Sequence, residues 1–434
     1  MTGEPKKTAN VLTNRNFRLV FLGALVSDLG ALLYNFAVGF FILEISGNNA
    51  FLQGLYLALC GAALLVFTPI GGVLGDRFNK AKIMYACDFL KGGMIVLATA
   101  LMLLFPAPGT QLAVLFVHGI LSNAVSGVFS PASGSLYPRI VAEEQLQQAN
   151  AYRSAKDALQ GILGVILAGV LYAALPIHTL FFLVGACYLA SGVSETLIRY
   201  DHRPSAEPLT LRLALRDMRD GVVYVRDRKA ILALLGTLLF LNFFITPVFG
   251  NFTPYFVRTD LANAPSYLLD KVLTPELWSS VFSMCFGVSS LIGAAVLSTR
   301  PQAEKCGLQT ARRLCAEAAV LIALTLGYWI LADRGVSLNA FLIVYCLGFL
   351  VMGLLISFVN IPLSTALMRI VDKDKLSKVT SIVSIGAQGM IPLASVLAGA
   401  ILSALGSTPL LAFSALGSAV TAALMLRSPA IREI

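Results

Sequence analysis

A chain of 434 residues that is 57% hydrophobic and only 13% charged, with a mean hydropathy of +0.80, is not an ordinary soluble domain, which carries roughly 25% charged residues. Its net charge of +9 would suit a nucleic-acid partner, but the basic residues are sorted into alternate loops. That is the pattern of membrane topology rather than of a nucleic-acid footprint.

A helix needs about 20 apolar residues to cross a bilayer, and twelve runs qualify. The first, near 17–43, is too long for a signal-peptide core and shows no small-residue cleavage site, so it reads as the first span. It holds Asp28, with Asn35 two turns further on a similar face. The second, 50–74, ends in "GGVLGDRFNKAKIM" (71–84). There Gly71 and Gly72 permit a close helix approach, and Asp76, Arg77, Lys80 and Lys82 crowd a tight turn. Asn79 stands at its tip, where a residue tolerant of left-handed backbone is expected. Span three, 83–105, carries Asp88 and Lys91 as an i,i+3 pair that neutralises itself or extends the charges of the turn. Span four, 111–133, contains His118 and Asn123, and spans 154–175 and 178–198 complete the first half.

Residues 199–228 are the most charged stretch. "LTLRLALRDMRDGVVYVRDRKA" places Leu211, Leu215, Met218 and Val222 at helical intervals with arginines between, an amphipathic helix for the cytoplasmic surface. The second half follows with 229–256, 276–299, 314–332, 339–366, 379–403 and 407–427. Asn242 and Asn251 fall in the first of these, with Pro247, Gly250 and Pro254 marking a bend. Glu317 stands four residues after Arg313 and reads as a snorkelling pair; Asn360 lies in 339–366. Glu44 and Glu195 sit near span ends, where water is close. Helix is the expected form because lipid offers backbone groups no partner, and the runs lack the alternation of a β-barrel.

Of 32 Lys and Arg, 28 fall on one side of this topology, and only Arg258, Lys271 and Arg334 on the other. The positive-inside rule puts both termini in the cytoplasm. The seven cysteines include no CxxC pair and none lies in an external loop, so neither disulfides nor a metal site is expected. No nucleophile elbow or phosphate-binding Gly-x-x-x-x-Gly-Lys occurs; neither an enzyme nor a cofactor is expected.

The two halves repeat each other. Residues 139–171 align without gaps to 369–401 at an offset of 230, with nine of 33 positions identical. Among these are Arg139/Arg369, Ser154/Ser384 and Leu167-Ala168-Gly169 over Leu397-Ala398-Gly399. With six spans per half the copies share one orientation, a parallel repeat about the membrane normal. The expected organisation is a six-helix bundle over 1–198, an amphipathic linker over 199–228 and a second bundle over 229–434.

Gly72, Leu74, Gly75, Asp76, Arg77, Asn79 and Lys80 resemble the loop signature Gly-x-Leu-Ala-Asp-Arg-x-Gly-Arg of the major facilitator superfamily, with Asn79 in place of its second glycine. "ILEISGN", "SPASGSLYPRIVAEEQLQQANAYRS", "RDMRDGVVYVRDRKAILALL" and "FVNIPLSTALMRIVDKDKLSKVTSI" are similar to the macrolide-efflux and enterobactin-exporter group. The resemblance implies an all-α integral membrane protein: twelve transmembrane helices in two bundles, resident in the inner or plasma membrane. It implies export of a small amphipathic compound, drug- or siderophore-like, by proton antiport with rocking bundles, and a monomer without nucleic-acid partners. "CDFLKGG" and "SPA" also resemble lysophospholipid transporters, which would take a lipid-like substrate, and a non-transporting receptor of the same fold is a further alternative.

On this reading Gly72, Asp76, Arg77, Lys80, Asp88 and Lys91 form a cytoplasmic gate. In the resembled fold helices 1, 4, 7 and 10 line the cavity, which makes Asn35, His118, Asn123, Asn242, Asn251 and Asn360 candidates to contact substrate. Ala31 stands where the macrolide group often has an acid, and helix 4 has no arginine within its span. Asp28, three residues earlier on nearly the same face, is the candidate proton carrier, since an ionised group in the bilayer costs about 2.5–3.5 kcal/mol and needs a reason to be there.

Overall fold

The computed structural model describes residues 10–199, 216, 219, 222–298, 307–371 and 376–428. All regular structure among them is helical, and twelve helices are long and apolar enough to cross a membrane. They are α1 (Arg15–Ile45), α2 (Ala50–Arg77), α3 (Lys80–Leu104), α4 (Pro108–Ile140), α5 (Leu146–Leu159, Gln160–Gly164 and Val165–Ala174 in succession) and α6 (Ile177–Thr196). There follow α7 (Lys229–Pro247, Val248–Phe252, Thr253–Phe256 and Val257–Leu261 in succession), α8 (Pro275–Ser298), α9 (Gly307–Gly327, then Tyr328–Asp333), α10 (Leu338–Ile370), α11 (Leu376–Leu405) and α12 (Ser407–Arg427). Most of the 199–228 linker lies outside the described residues; 222–227 are helical.

Local chemistry sets the boundaries. Asn14 Oδ1 accepts from the N–H groups of Asn16 and Phe17 and opens α1, and Pro108 opens α4, where its missing N–H costs nothing. Asn79 corrects the expectation for the charged turn. Its φ is −62°, not left-handed, and its side chain caps α3 by accepting from Ala81 N at 3.0 Å and Lys82 N at 3.3 Å. Asn is favoured there for its side-chain acceptor, so α2 runs on through Arg77 and the turn is only two residues long. In α7 the bend expected from its prolines takes the form of two π-helical turns, Val248–Phe252 and Val257–Leu261, each beginning shortly after a proline that has no N–H to give.

The chain forms two compact units. The first comprises 1–35, 63–164 and 175–214; in it α3 packs on α6 and α4. Glycines bring backbones together: a Cβ on Gly71 would lie 2.6 Å from Val128 Cα, and one on Gly127 2.8 Å from Leu64 O. Of the close helix approach expected at Gly71 and Gly72, Gly71 makes it, against α4, whereas an added Cβ on Gly72 would meet nothing within 4 Å. Val11, Phe17, Met84, Leu136 and Tyr137 form an apolar cluster nearby.

The second unit comprises 36–62, 165–174 and 215–434, with α8 against α10, α9 against α12 and α10, and α11 against α7. Its centre is an aromatic stack around Tyr345, whose ring lies 4.7 Å from both Phe282 and Phe349 and whose hydroxyl bonds Thr253 Oγ1 at 2.8 Å. The later part of α1 joins through Arg258, which pairs with Glu44 at 3.0 Å and Glu276 at 3.4 Å.

Two glycine contacts in this unit copy one another. On α5, a Cβ at Gly169 would overlap the Ser280 hydroxyl of α8, which itself donates to Val165 O at 3.0 Å. On α11, a Cβ at Gly399 would lie 2.6 Å from Ala50 O of α2, and one at Gly54 would overlap Ser395 O. Adding 230 to 50, 165 and 169 gives 280, 395 and 399. The repeat therefore extends from sequence to tertiary contact, and the shared Leu-Ala-Gly triplet marks where the backbones touch.

Candidate functional site

In the first unit, α1 is held between α5 and α6. Gly23 and Gly30 face α6: a Cβ on Gly23 would lie 3.2 Å from Ser191 Oγ and 3.5 Å from Glu195 Cγ, and one on Gly30 2.9 Å from Cys187 Cβ. Toward α5, Gln160 Nε2 donates to Leu25 O at 2.9 Å, and Lys156 Nζ forms an ion pair with Asp28. The Lys156 side chain is 7% exposed and that of Asp28 is 46% exposed. Lys156 also lies 3.3 Å from Asp157, an outer and more exposed partner. Sequence reading placed Asp28 but did not find Lys156, which lies 128 residues away in the chain.

Asp88, Lys91 and Glu195 are buried nearby, at 1%, 7% and 0% exposure. The i,i+3 spacing of Asp88 and Lys91 does not yield a bonded pair. Neither Asp88 oxygen has a hydrogen-bond partner, and Lys91 Nζ lies 5.3 Å from the ring centroids of both Phe129 and Tyr188, where aromatic faces stabilise a desolvated cation. Glu195 is not near water as its helix-end position implied; both its oxygens are buried and unpartnered.

Gly72 has open space where a Cβ would go, Arg77 is exposed, and Lys80 is buried, donating to Gly75 O. The Asp76 side chain lies outside the described residues.

His118 is buried with Nδ1 2.8 Å from Tyr34 Oη and its ring edge-on to the tyrosine. It also borders an apolar groove between α3 and α4, with Met94, Leu101 and Val117. Asn123 donates to Gly119 O of its own helix, and Asn35 is exposed. Tyr34→Phe removes the His118 partner and is expected to lower the unfolding free energy by about 0.5–1.5 kcal/mol. A thermal melt of the purified variant checks this.

In the second unit, Asn242, Thr246 and Phe249 of α7, Phe286 of α8, Glu317 of α9 and Asn360 of α10 line a cavity of about 490 Å³, within the range of small-molecule sites. The structure thus brings Asn242 and Asn360 together. Asn251 does not join them: it is fully buried and donates to Ser395 O at 3.3 Å, linking α7 to α11. Glu317 does not pair with Arg313 as expected. Arg313 bonds Phe358 O and stacks on the Phe358 ring, whereas Glu317 is 1% exposed with Oε1 unpartnered. The signal for this was its phase: Thr310, Leu314, Glu317, Leu321 and Leu324 form one buried stripe along α9.

Comparison with known proteins places these sites in a family context. The family model described as Major Facilitator Superfamily matches residues 20–395. Among curated relatives, an MFS-type transporter of Bacillus subtilis, YkuC, is 26% identical over 66% of this chain and 65% of its own length. Macrolide efflux protein A of Streptococcus pyogenes is 25% identical over 51% of this chain and 54% of its own. Enterobactin exporter EntS of Citrobacter koseri is 30% identical over 37% of this chain and 38% of its own. The chain thus matches less than two thirds of the length of these three relatives. A crystal structure of a bacterial homologue of the iron transporter ferroportin superposes with a TM-score of 0.71 at 18% identity, covering 95% of this chain and 98% of that one. That likeness is one of fold.

Proposed function

Since the chain belongs to the Major Facilitator Superfamily, we propose that it is a cell-membrane exporter of a small amphipathic compound, driven by proton antiport. The two six-helix halves, 1–198 and 229–434, rock about a substrate held between them, the 199–228 linker and both termini are cytoplasmic, and one chain is the working unit. The relatives named for macrolide efflux and enterobactin export support the direction of transport.

The observation that carries proton coupling is the ion pair of Asp28 with the buried Lys156. A proton arriving on Asp28 cancels the charge that holds Lys156, and its departure restores the bond. The pair can thus convert protonation into a change of contact between α1 and α5. Asp88, Lys91 and Glu195 are buried ionisable groups that interact electrostatically with Asp28, so that moving one proton is felt by the group.

The test is export from proteoliposomes under an imposed pH gradient. Asp28→Asn is expected to abolish gradient-driven efflux, and the double variant Asp28→Asn/Lys156→Gln, which strands neither member of the pair as a charge, to remain folded and equally uncoupled. Gradient-driven efflux at the wild-type rate in the double variant refutes the coupling role. The apolar α3–α4 groove favours one second reading, a lysophospholipid transporter with an acyl chain in that groove. Faster uptake of labelled lysolipid than of any drug-like solute would select it.

A further inference from the structure

We propose that the cavity of the second unit is a binding site for the protonated amine of an amphipathic substrate, with Glu317 as the group that recognises the charge. This rests on the exporter reading, since it names what such an exporter takes.

Three observations converge. The first is Glu317 itself: it lines a cavity of about 490 Å³, is 1% exposed, and has an oxygen with no hydrogen-bond partner. A buried carboxylate without a partner is destabilising, and a cation entering the cavity supplies what is missing. Its protein neighbour in sequence, Arg313, is engaged with Phe358 on α10.

The second is the polarity of the other lining groups. Asn242 Nδ2 donates to Leu238 O at 2.9 Å, which leaves its Oδ1 and one N–H for a ligand. The neutral lining groups can therefore serve a donor or an acceptor, and Glu317 is the one charged residue among those that line the cavity. Its carboxylate attracts an ammonium group and repels a carboxylate or phosphate.

The third is the remainder of the wall. Phe249 and Phe286 lie edge-to-face at 5.1 Å, and Ile245, Ile356 and Val359 add aliphatic surface. Aromatic rings beside a carboxylate suit an organic cation, and the apolar share of the wall holds the body of an amphiphile. A bare metal ion would need several oxygen ligands at short range; among the described residues no group of three His, Cys, Asp or Glu side chains comes together.

The test uses three fluorescent probes that differ only at the tail: dansylcadaverine (ammonium), N-hexyl dansylamide (methyl) and the dansylated aminohexanoate (carboxylate). Binding to purified full-length protein in nanodiscs is followed by fluorescence titration. The wild type is expected to bind the ammonium probe at least about tenfold more tightly than the other two. Glu317→Gln is expected to remove that preference and leave the methyl probe unchanged, while Glu317→Asp restores most of it. Equal affinity for the three probes in the wild type, or an undiminished preference in Glu317→Gln, overturns the proposal. If Glu317→Gln does not fold, the wild-type ranking and the Glu317→Asp variant still decide. The binding assay needs no sealed membrane. Amine preference without solute flux would sink the exporter reading alone, and proton-driven flux without amine preference would sink only this one.

Discussion

Gly54→Ala is expected to abolish transport and to lower the melting temperature by several degrees. The substituent would overlap Ser395 O, with Gly399 Cα 3.1 Å away. Both obstacles are backbone of α11, so no side-chain rotation relieves the clash and the two helices must separate. Inserting even one methyl group into a packed site costs about 1–3 kcal/mol, and here the displaced element is a whole helix. Ser280 of α8 and the Arg258–Glu44 pair belong to the same unit, so the wedge disturbs a contact system rather than one point. Gly93→Ala is the control. No atom lies within 4 Å of its added Cβ, and exchanging Gly for Ala in a helix is worth roughly 0.5–1 kcal/mol in favour of Ala. The melting temperature should therefore fall for Gly54→Ala and rise slightly for Gly93→Ala, with proteoliposome flux lost only in the former, or the glycine contact is not limiting.

The second large effect is an asymmetry between the partners of the Asp28–Lys156 pair. Asp28→Asn strands a lysine whose side chain is 7% exposed, with only the outer Asp157 at 3.3 Å to compensate. The expected loss lies toward the lower end of the roughly 3–5 kcal/mol seen when one partner of a buried pair is removed. Lys156→Met strands instead an aspartate whose side chain is 46% exposed. Screening there reduces the loss to about 1 kcal/mol or less. The double variant should be less destabilised than the sum of the two, by about 0.5–3 kcal/mol of coupling. A double-mutant cycle by denaturant unfolding in detergent measures all four corners. Equal losses for the two single variants would mean that the lysine is not the buried partner.

All twelve spans were legible as apolar runs, because lipid imposes a length and a composition that need no knowledge of neighbours. What composition does not reveal is phase and distant pairing. Asp28 was visible as a charge in a span, but its partner lies on α5, brought alongside by glycines on the opposite face of α1. Glu195 read as a helix-end residue near water and is fully buried, because α6 presents that turn to Gly23 of α1. Glu317 read as half of a local pair. Its spacing from Leu314 and Leu321 put it on the inward stripe of α9, a signal that outranks the four-residue distance to Arg313. The amides divide for the same reason: Asn242 and Asn360 fall on cavity-facing phases, while Asn251, within the π-helical turn of α7, is carried round to α11.

The paired contacts of Gly169 with Ser280 and Gly399 with Ala50 bear on the ancestry of the chain. Two separate copies of a six-helix protein, related by a twofold axis, would make both with a single pair of positions, each copy lending its α2-type residue to the α5-type glycine of the other. Such an isologous handshake needs no second gene product, so it could already have held a homodimer together before the copies were joined. The two contacts differ in one respect: Ser280 bonds Val165 O through its hydroxyl, whereas Ala50 meets Gly399 with its backbone carbonyl. The glycine is the member common to both, and the one that cannot be enlarged without parting the helices.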